Sequence, residues 1–164
     1  AAGISARLGQ GQSFGSYTAI DISRKPGIDC MESVLKRCAG MGFAYVEADD
    51  LVMEPITAEL TFIDTWHTYA QLFKELKRWG PATTRFLVFH DTESFGLRDE
   101  GVAGHGGKAV NRSLYSDVAH KENRGLMPAI EAFVKGSGGQ WRKIFTTTRS
   151  SGFVILERQK SVSE

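Results

Sequence analysis

The sequence has few of the features that mark secreted, membrane-spanning or nucleic-acid-binding chains. It has 2 cysteines in 164 residues, and no apolar run approaches the roughly 20 residues of a membrane-spanning helix. No signal peptide is visible. Its 20 Lys and Arg residues nearly balance its 19 Asp and Glu residues and are scattered, so neither a nucleic acid nor a membrane surface is implied as partner. We expect a cytoplasmic enzyme or binding domain.

The length and the 41% hydrophobic content fit one globular domain with a core of its own. Cys30 and Cys38 are spaced as on one helix, which favours two reduced thiols over a disulfide or a metal site. The chain opens with Ala1-Ala2-Gly3-Ile4-Ser5 and leaves little room for a first strand. The expectation is a single domain, residues 1–164, that lacks part of its N-terminal first strand.

Short apolar runs alternate with amphipathic segments along most of the chain. Strands are predicted at 17–22, 43–46, 60–64 and 85–90, and helices at 29–38, at 68–79 and from about 125. Two further β-like runs, 141–148 and 152–157, are joined so closely that they must form an antiparallel hairpin. The pattern predicts an α/β fold: a Rossmann-like, mostly parallel sheet with helices on both faces and a C-terminal antiparallel hairpin.

The helix predicted at 68–79 is amphipathic. Its apolar face carries Tyr69, Leu72, Phe73, Leu76 and Trp79, and its other face carries Gln71, Lys74, Glu75, Lys77 and Arg78. Gly80-Pro81 is predicted to end it, since proline cannot continue the backbone hydrogen bonds of a helix.

Two predicted strands each end on a carboxylate next to a histidine. The first leads into Asp64-Thr65-Trp66-His67 and the second into His90-Asp91. One helical segment lies between them, and a right-handed crossover makes the strands parallel and brings both acidic ends to one edge. Ligands of open α/β sheets bind at that edge. The sequence therefore predicts an active site there.

The segment from about 92 to 124 has no sustained period and contains five glycines, Gly96, Gly101, Gly104, Gly106 and Gly107. A loop of this length in a compact domain is usually a functional lid or disordered. If the chain is an enzyme, the choice of substrate is expected to lie in this segment.

These motifs together resemble the class I S-adenosylmethionine-dependent methyltransferases. The subgroup most similar comprises small-molecule O-methyltransferases, cephalosporin hydroxylase-like enzymes and macrocin-type enzymes. The likeness runs from about Tyr17 to Arg158, and the segments that carry it are Phe62 to Tyr69, Val88 to Thr92, Gly125-Leu126 with Pro128 to Ile130, and Val154 to Arg158.

The resemblance implies S-adenosylmethionine as cofactor. Asp21 would bond the ribose hydroxyls, Asp49 or Asp50 would contact the adenine amine, and Asp64 is counted with the cofactor-binding residues too. The glycine-rich loop of the family has two candidates here, Gly3 with Ser5, or the run Gly9 to Ser13. The alternatives are a solvated turn at Asp21 and a helix cap at Asp49 or Asp50.

The strand ends suggest metal-assisted chemistry. Asp64, His90 and Asp91 are the predicted ligands of a divalent ion, expected to be magnesium, with Glu93 as an alternative third ligand. His67 is predicted to act as general base or substrate contact, and His90 is a second catalytic candidate. The alternatives are a helix-capping His67 and a His90 that only orients its neighbours.

The predicted function is therefore O-methylation of a small hydroxylated molecule, such as a sugar or a natural product. Two other hypotheses remain: a nicotinamide-binding dehydrogenase-like domain, and a non-catalytic or remnant Rossmann-like nucleotide-binding domain. The partner expected is a small-molecule acceptor, with no nucleic acid and no membrane. Whether the chain forms a homo-oligomer is left open.

Overall fold

A computed structural model describes residues 15–24, 27, 28, 30, 33, 34, 42–101 and 124–160. Gly3, Ser5, the run Gly9 to Ser13, Cys38 and most of the segment from 92 to 124 lie outside the described residues, as does much of the helix predicted at 29–38. Cys30 is an exposed free cysteine.

The chain divides into two compact units, Ala1–Glu54 and Pro55–Glu164, and each is considered by itself. The single-domain organisation stays a prediction.

The first unit contains a parallel pair of strands. Strands β1 (Ser16–Asp21) and β2 (Gly42–Glu47) pair in register from Ser16 opposite Gly42 to Asp21 opposite Glu47. Both predicted strands are thus confirmed, and their carboxyl ends share one edge, where Asp21 lies.

The second unit is a four-stranded sheet with two helices. The elements in chain order are β3 (Ala58–Ile63), α1 (Tyr69–Ala82), β4 (Thr83–His90), α2 (Leu126–Gly136), β5 (Trp141–Thr147) and β6 (Phe153–Arg158). The strand order is β3-β4-β6-β5. Strands β3 and β4 are parallel, whereas β6 runs antiparallel to both β4 and β5. The parallel pair and the closing hairpin are both confirmed.

One face of this sheet forms the core of the second unit, because alternate residues of a strand point to the same side. The buried cluster contains Ile63, Leu87, Phe89, Val154 and Leu156 from the strands, Leu72 and Leu76 from α1, Leu126, Ala129 and Ile130 from α2, and Trp141. Burying each large aliphatic side chain contributes roughly 1.5–3 kcal/mol. This packing holds the segment between β3 and α1 at the edge where both parallel strands end.

Helix α1 extends beyond its predicted end, so Gly80-Pro81 does not terminate it and it runs to Ala82. The proline lies in the last turn, where the carbonyl groups left open find other donors. The Thr83 backbone N–H donates to the carbonyls of Trp79 and Gly80, and the Arg158 guanidinium donates to the carbonyl of Gly80 at 2.8 Å. Strand β4 therefore begins at Thr83, two residues earlier than predicted.

The polar face of α1 is also partly buried. Glu75 has no exposed surface and Gln71 is only 6% exposed. The Glu75 carboxylate accepts a hydrogen bond from the Thr65 hydroxyl at 2.6 Å and another from the Gln71 amide at 2.6 Å. Because Thr65 follows Asp64 directly, this buried network fixes the start of the segment that carries His67.

No helix within the described parts of the chain has the length and apolar character of a membrane span.

Candidate functional site

Both strand-end motifs of the second unit lie together at one edge of the sheet. Ile63 pairs with Phe89 across the parallel strands β3 and β4, so the chain leaves both strands at the same level. Asp64 and Asp91 follow these strand ends. The edge predicted from the sequence is therefore the one that the structure forms.

His67 lies among three carboxylates. Its Nε2 atom is 3.1 Å from Asp64 Oδ1 and 3.2 Å from Asp91 Oδ2, and its Nδ1 atom is 2.9 Å from Glu100 Oε2. The ring stacks on Phe95 with a centroid distance of 4.9 Å and an interplanar angle of 9°. The helix cap is Thr68, whose hydroxyl accepts from the backbone N–H of Gln71, so His67 does not have that role.

His90 contacts the other oxygens of the same two aspartates. Its Nδ1 atom is 3.4 Å from Asp64 Oδ2 and 3.4 Å from Asp91 Oδ1. Its Nε2 atom donates to the carbonyl of Ser150 at 2.9 Å, since a carbonyl can only accept. The Nδ1 atom is buried and has no hydrogen-bond partner among the described residues. In neutral imidazole this nitrogen carries a lone pair that faces two carboxylates.

The turns at this edge have left-handed backbone. Asp91 has a φ of 56°, a conformation in which Asp and Asn are enriched. In the β5–β6 hairpin, Ser150, Ser151 and Gly152 have φ values of 51°, 65° and 95°. The carbonyl of Ser151 accepts from the backbone N–H of Glu93 at 2.8 Å. The hairpin is thus tied to the segment after β4, which keeps the Ser150 carbonyl at His90.

We refer to Asp64, His67, His90 and Asp91 as the histidine–carboxylate cluster. The contacts within it shift the pKa of two of its residues. Burial alone would lower the pKa of His67, but the hydrogen bonds to Asp64 and Glu100 and the charge of Asp91 outweigh it and raise the pKa above 6.5. The hydrogen bond from His67 lowers the pKa of Asp64 below 3.8, against the opposing effect of burial. The contacts with the carboxylates therefore favour the imidazolium form of His67 when no cation is bound.

We predict that His67→Gln reduces stability most at mildly acid pH in cation-free protein. Because the pKa of His67 is raised, its protonation stabilises the fold below the unfolded pKa of 6.5. This stabilisation is lost as the pH rises through the pKa of the folded state. Because the pKa of Asp64 is lowered, its ionisation stabilises the fold above pH 3.8. This stabilisation is lost as the pH falls through the pKa of the folded state. Thermal unfolding with a chelator should show a larger wild-type advantage at about pH 5 than at about pH 9. An equal or larger advantage at the alkaline pH would contradict the assignment.

The donor set suits a divalent cation. One ligand atom each of Asp64, His67 and Asp91 lies within 4.8 Å of the others, and the predicted ligand His90 contacts the same two carboxylates. A lone pair and two carboxylates that face one another repel unless a proton or cation lies between them. The orphaned Nδ1 atom of His90 is therefore the observation that most favours an ion here.

Sequence reasoning missed Glu100. It lies in the segment after β4 that has no sustained period, 33 residues from His67 along the chain. No local spacing links the two residues, so no signal in the sequence pointed to their contact. The carbonyl of Ser150, 60 residues from His90, was missed for the same reason.

The residues predicted to bind the cofactor lie in the first unit, except Asp64, whose cofactor role also stays a prediction. Asp21 ends β1, and its Oδ1 atom accepts from the backbone N–H of Ser23 at 3.1 Å. Asp49 follows β2, and its Oδ1 atom accepts from the backbone N–H of Leu51 at 2.8 Å. Asp50 is next to it in the same turn. The cofactor roles of Asp21, Asp49 and Asp50 stay predictions, as do those of Gly3 and Ser5 outside the described residues.

Two cavities of the second unit, of about 510 and 900 Å³, open at the opposite edge of the sheet. Both are lined by Thr84, Arg158, Gln159 and Lys160, and neither contains a residue of the histidine–carboxylate cluster. Because neither cavity lies at the histidine–carboxylate cluster, the cluster and not a cavity defines the candidate site.

Comparison with known proteins supports the fold. No protein-family model matches the chain, and neither does any curated protein. A solved O-methyltransferase family 2 protein from Planctomyces limnophilus, in complex with apigenin, is similar with a TM-score of 0.50 and 12% identity over 95% of this chain. A magnesium protoporphyrin IX methyltransferase from Synechocystis, with bound SAH, gives a TM-score of 0.46 and 14% identity over 85% of the chain. The chain spans 56% and 61% of the length of these two proteins.

The first of these likenesses shows a methyltransferase-like Rossmann fold. The predicted α/β, Rossmann-like fold class with a C-terminal antiparallel hairpin is confirmed, and so is the resemblance to class I methyltransferases at the level of the fold. Identity this low does not carry an activity, and the subgroup stays a prediction.

Proposed function

We propose that this chain is part or all of an S-adenosylmethionine-dependent methyltransferase that methylates a hydroxyl group of a small molecule with the help of a divalent cation. The observation that carries the proposal is the cluster of Asp64, His67, His90 and Asp91 at the carboxyl edge of the parallel strands. On a methyltransferase-like fold, this edge is where a ligand is expected. Cytoplasmic location, expected from the sequence, remains part of the proposal.

Asp64, Asp91 and the Nδ1 atom of His90 would hold the cation. Magnesium, the ion expected from the sequence, prefers oxygen ligands and keeps several waters, and two carboxylates meet that need. A bound divalent cation lowers the pKa of a hydroxyl group and fixes its orientation. The hydrogen bond from His90 Nε2 to the carbonyl of Ser150 leaves Nδ1 as the ligand nitrogen.

His67 would accept the proton of the acceptor hydroxyl. Its Nε2 atom faces the two aspartates, while its Nδ1 atom is held by Glu100. A general base must lie within hydrogen-bond reach of its proton, and the Nε2 atom lies at the same two carboxylates that would hold the cation. Holding the acceptor oxygen and the methyl donor in line would supply much of the rate.

The proposed binding of S-adenosylmethionine is based on the resemblance to class I methyltransferases. A carboxylate at Asp21 can accept two hydroxyl donors of a ribose, and Asp49 or Asp50 can accept from an adenine amine. These residues would bind and orient the cofactor.

The proposal predicts that the demethylated cofactor, S-adenosylhomocysteine, binds to this chain. Calorimetric titration should give saturable binding, weakened about tenfold or more in Asp21→Asn because a charged hydrogen-bond acceptor is lost. Glu131→Gln, on the exposed surface of α2, is the matched control and should bind normally. With binding established, methyl transfer from labelled S-adenosylmethionine to sugars and phenols should need the cation. No cofactor binding by the wild-type chain would reject the proposal in favour of a remnant domain.

A further inference from the structure

The histidine–carboxylate cluster borders the face of the second unit's sheet that lies opposite α1 and α2. The helices pack on the face that carries Leu87, Phe89, Val154 and Leu156. Alternate residues of a strand point to opposite sides of a sheet, so Val88 and His90 lie on the other face. Phe62 pairs with Val88 across β3 and β4. Phe153 pairs with His90 across β4 and β6. This face therefore joins apolar side chains directly to a residue of the cluster.

Two aromatic rings of this face lie next to His90. The ring centroid of Phe153 is 4.6 Å and that of Phe62 is 6.4 Å from the centroid of the His90 ring, and the two phenyl rings are 6.5 Å apart. Phe62 is 47% exposed. Asp64, whose Oδ2 atom is 3.4 Å from His90 Nδ1, has 39% of its side chain exposed. An exposed ring and an exposed carboxylate of the proposed cation site thus lie at the same end of this face.

The side chains around Phe62 are apolar. The register aligns it across the four strands with Val88, Ile155 and Phe145, and Leu60 is the next residue of β3 on the same side. A hydroxyl group held against such a surface loses its hydrogen bonds to water without replacement. A sugar can lay one apolar side on an aromatic ring, but it carries hydroxyls around its whole edge. A phenol carries its hydroxyls at one end of an apolar body, which matches this surface better.

We propose that the acceptor is a hydroxylated aromatic molecule and that Phe62 selects it by stacking on its ring, with its hydroxyl at the cation held by Asp64, His90 and Asp91. This inference rests on the proposed function and narrows its acceptor from small hydroxylated molecules to phenols. Offset or tilted aromatic pairs are favourable beyond the apolar area that they bury. A phenolic hydroxyl, with a pKa of about 10 in tyrosine, also loses its proton more readily than an alcohol does.

Calorimetric titration of the magnesium-loaded chain with catechol tests the proposal without methyl transfer. It is carried out with and without S-adenosylhomocysteine, and a titration of magnesium alone is subtracted. Catechol should bind the wild-type chain at least about tenfold more tightly than methyl glucoside does, and Phe62→Ala should weaken catechol binding about tenfold because the aromatic pair is lost. Phe62→Tyr keeps the ring and should bind catechol as the wild type does.

Phe145→Ala is the matched control. Phe145 is 48% exposed and lies in the same row as Phe62, but β4 and β6 separate its strand from β3. The same loss of an exposed phenyl ring there should leave catechol binding unchanged.

Three results of the titrations would overturn the proposal: equal catechol affinity in Phe62→Ala and the wild type, equal or tighter binding of methyl glucoside, or no catechol binding by the wild type. Sedimentation adds a fourth, because a wild-type dimer that Phe62→Ala dissociates would show that a second copy covers this face. The proposed function fails by a different result, the absence of S-adenosylhomocysteine binding.

Discussion

Asp91→Asn should weaken magnesium binding to this chain by more than about 100-fold, because loss of a residue that only supports a metal ligand already lowers affinity 10- to 100-fold. The substitution removes a negative charge and one hard oxygen ligand but keeps the shape of the side chain. Asparagine also tolerates the φ of 56° at this position. A loss of magnesium affinity in this variant would therefore come from the missing ligand oxygen and charge, and not from a changed turn. The measurement is calorimetric titration with magnesium at neutral pH.

The control for this experiment is Glu59→Gln. It removes the same charge from a side chain that is 69% exposed and pairs with Arg85, outside the cluster. Magnesium affinity should stay at the wild-type level in this variant, and both variants should unfold at temperatures close to that of the wild type. Equal affinity in Asp91→Asn and the wild type, or no binding by either, would show that the cluster is not the cation site.

Gly152→Ala should lower the free energy of unfolding by about 2–5 kcal/mol, as the sum of left-handed backbone strain and overpacking. Gly152 has a φ of 95°, and an added Cβ atom would overlap the backbone nitrogen of Glu93 and lie 2.9 Å from the Thr92 hydroxyl. The hairpin cannot move away without losing its bonds to the segment after β4. That movement would also withdraw the Ser150 carbonyl from His90.

Gly139→Ala is the matched control, because Gly139 has a similar φ of 84° but no atom within 4 Å of an added Cβ. It should cost only the left-handed strain, about 1–2 kcal/mol. Denaturant unfolding of the two variants measures the difference. If both lose the same free energy, the hairpin is not packed against Glu93 and Thr92 as the structure has it.

The elements of the second unit could be predicted where the chain gives local signals. Apolar runs followed by Asp64 and by His90-Asp91 marked the ends of β3 and β4, and the short connection near Ser150 marked the hairpin. These features depend on periodicity and on turns within a few residues. The edge of the sheet followed from them by the handedness of the crossover.

The errors and omissions involve contacts that the spacing of apolar and polar residues does not mark. Gly80-Pro81 does not end α1, and the carbonyls of both residues accept from Arg158, 78 and 77 residues away. Glu75 belongs to the polar face by its spacing, yet it is buried because Thr65 and Gln71 donate to it. The spacing within one element does not mark partners such as Arg158 and Thr65, because they lie outside the helix.

We propose that Asp64, His90 and Asp91 hold a divalent cation on a methyltransferase-like fold. Crystals of the chain soaked in manganese, which substitutes for magnesium in oxygen-rich sites, test it most directly through anomalous scattering. We expect one strong anomalous peak bound by Asp64, Asp91 and the Nδ1 atom of His90, with His67 still in contact with Glu100. An empty cluster, or a peak elsewhere with His67 still bridging the two aspartates, would contradict it.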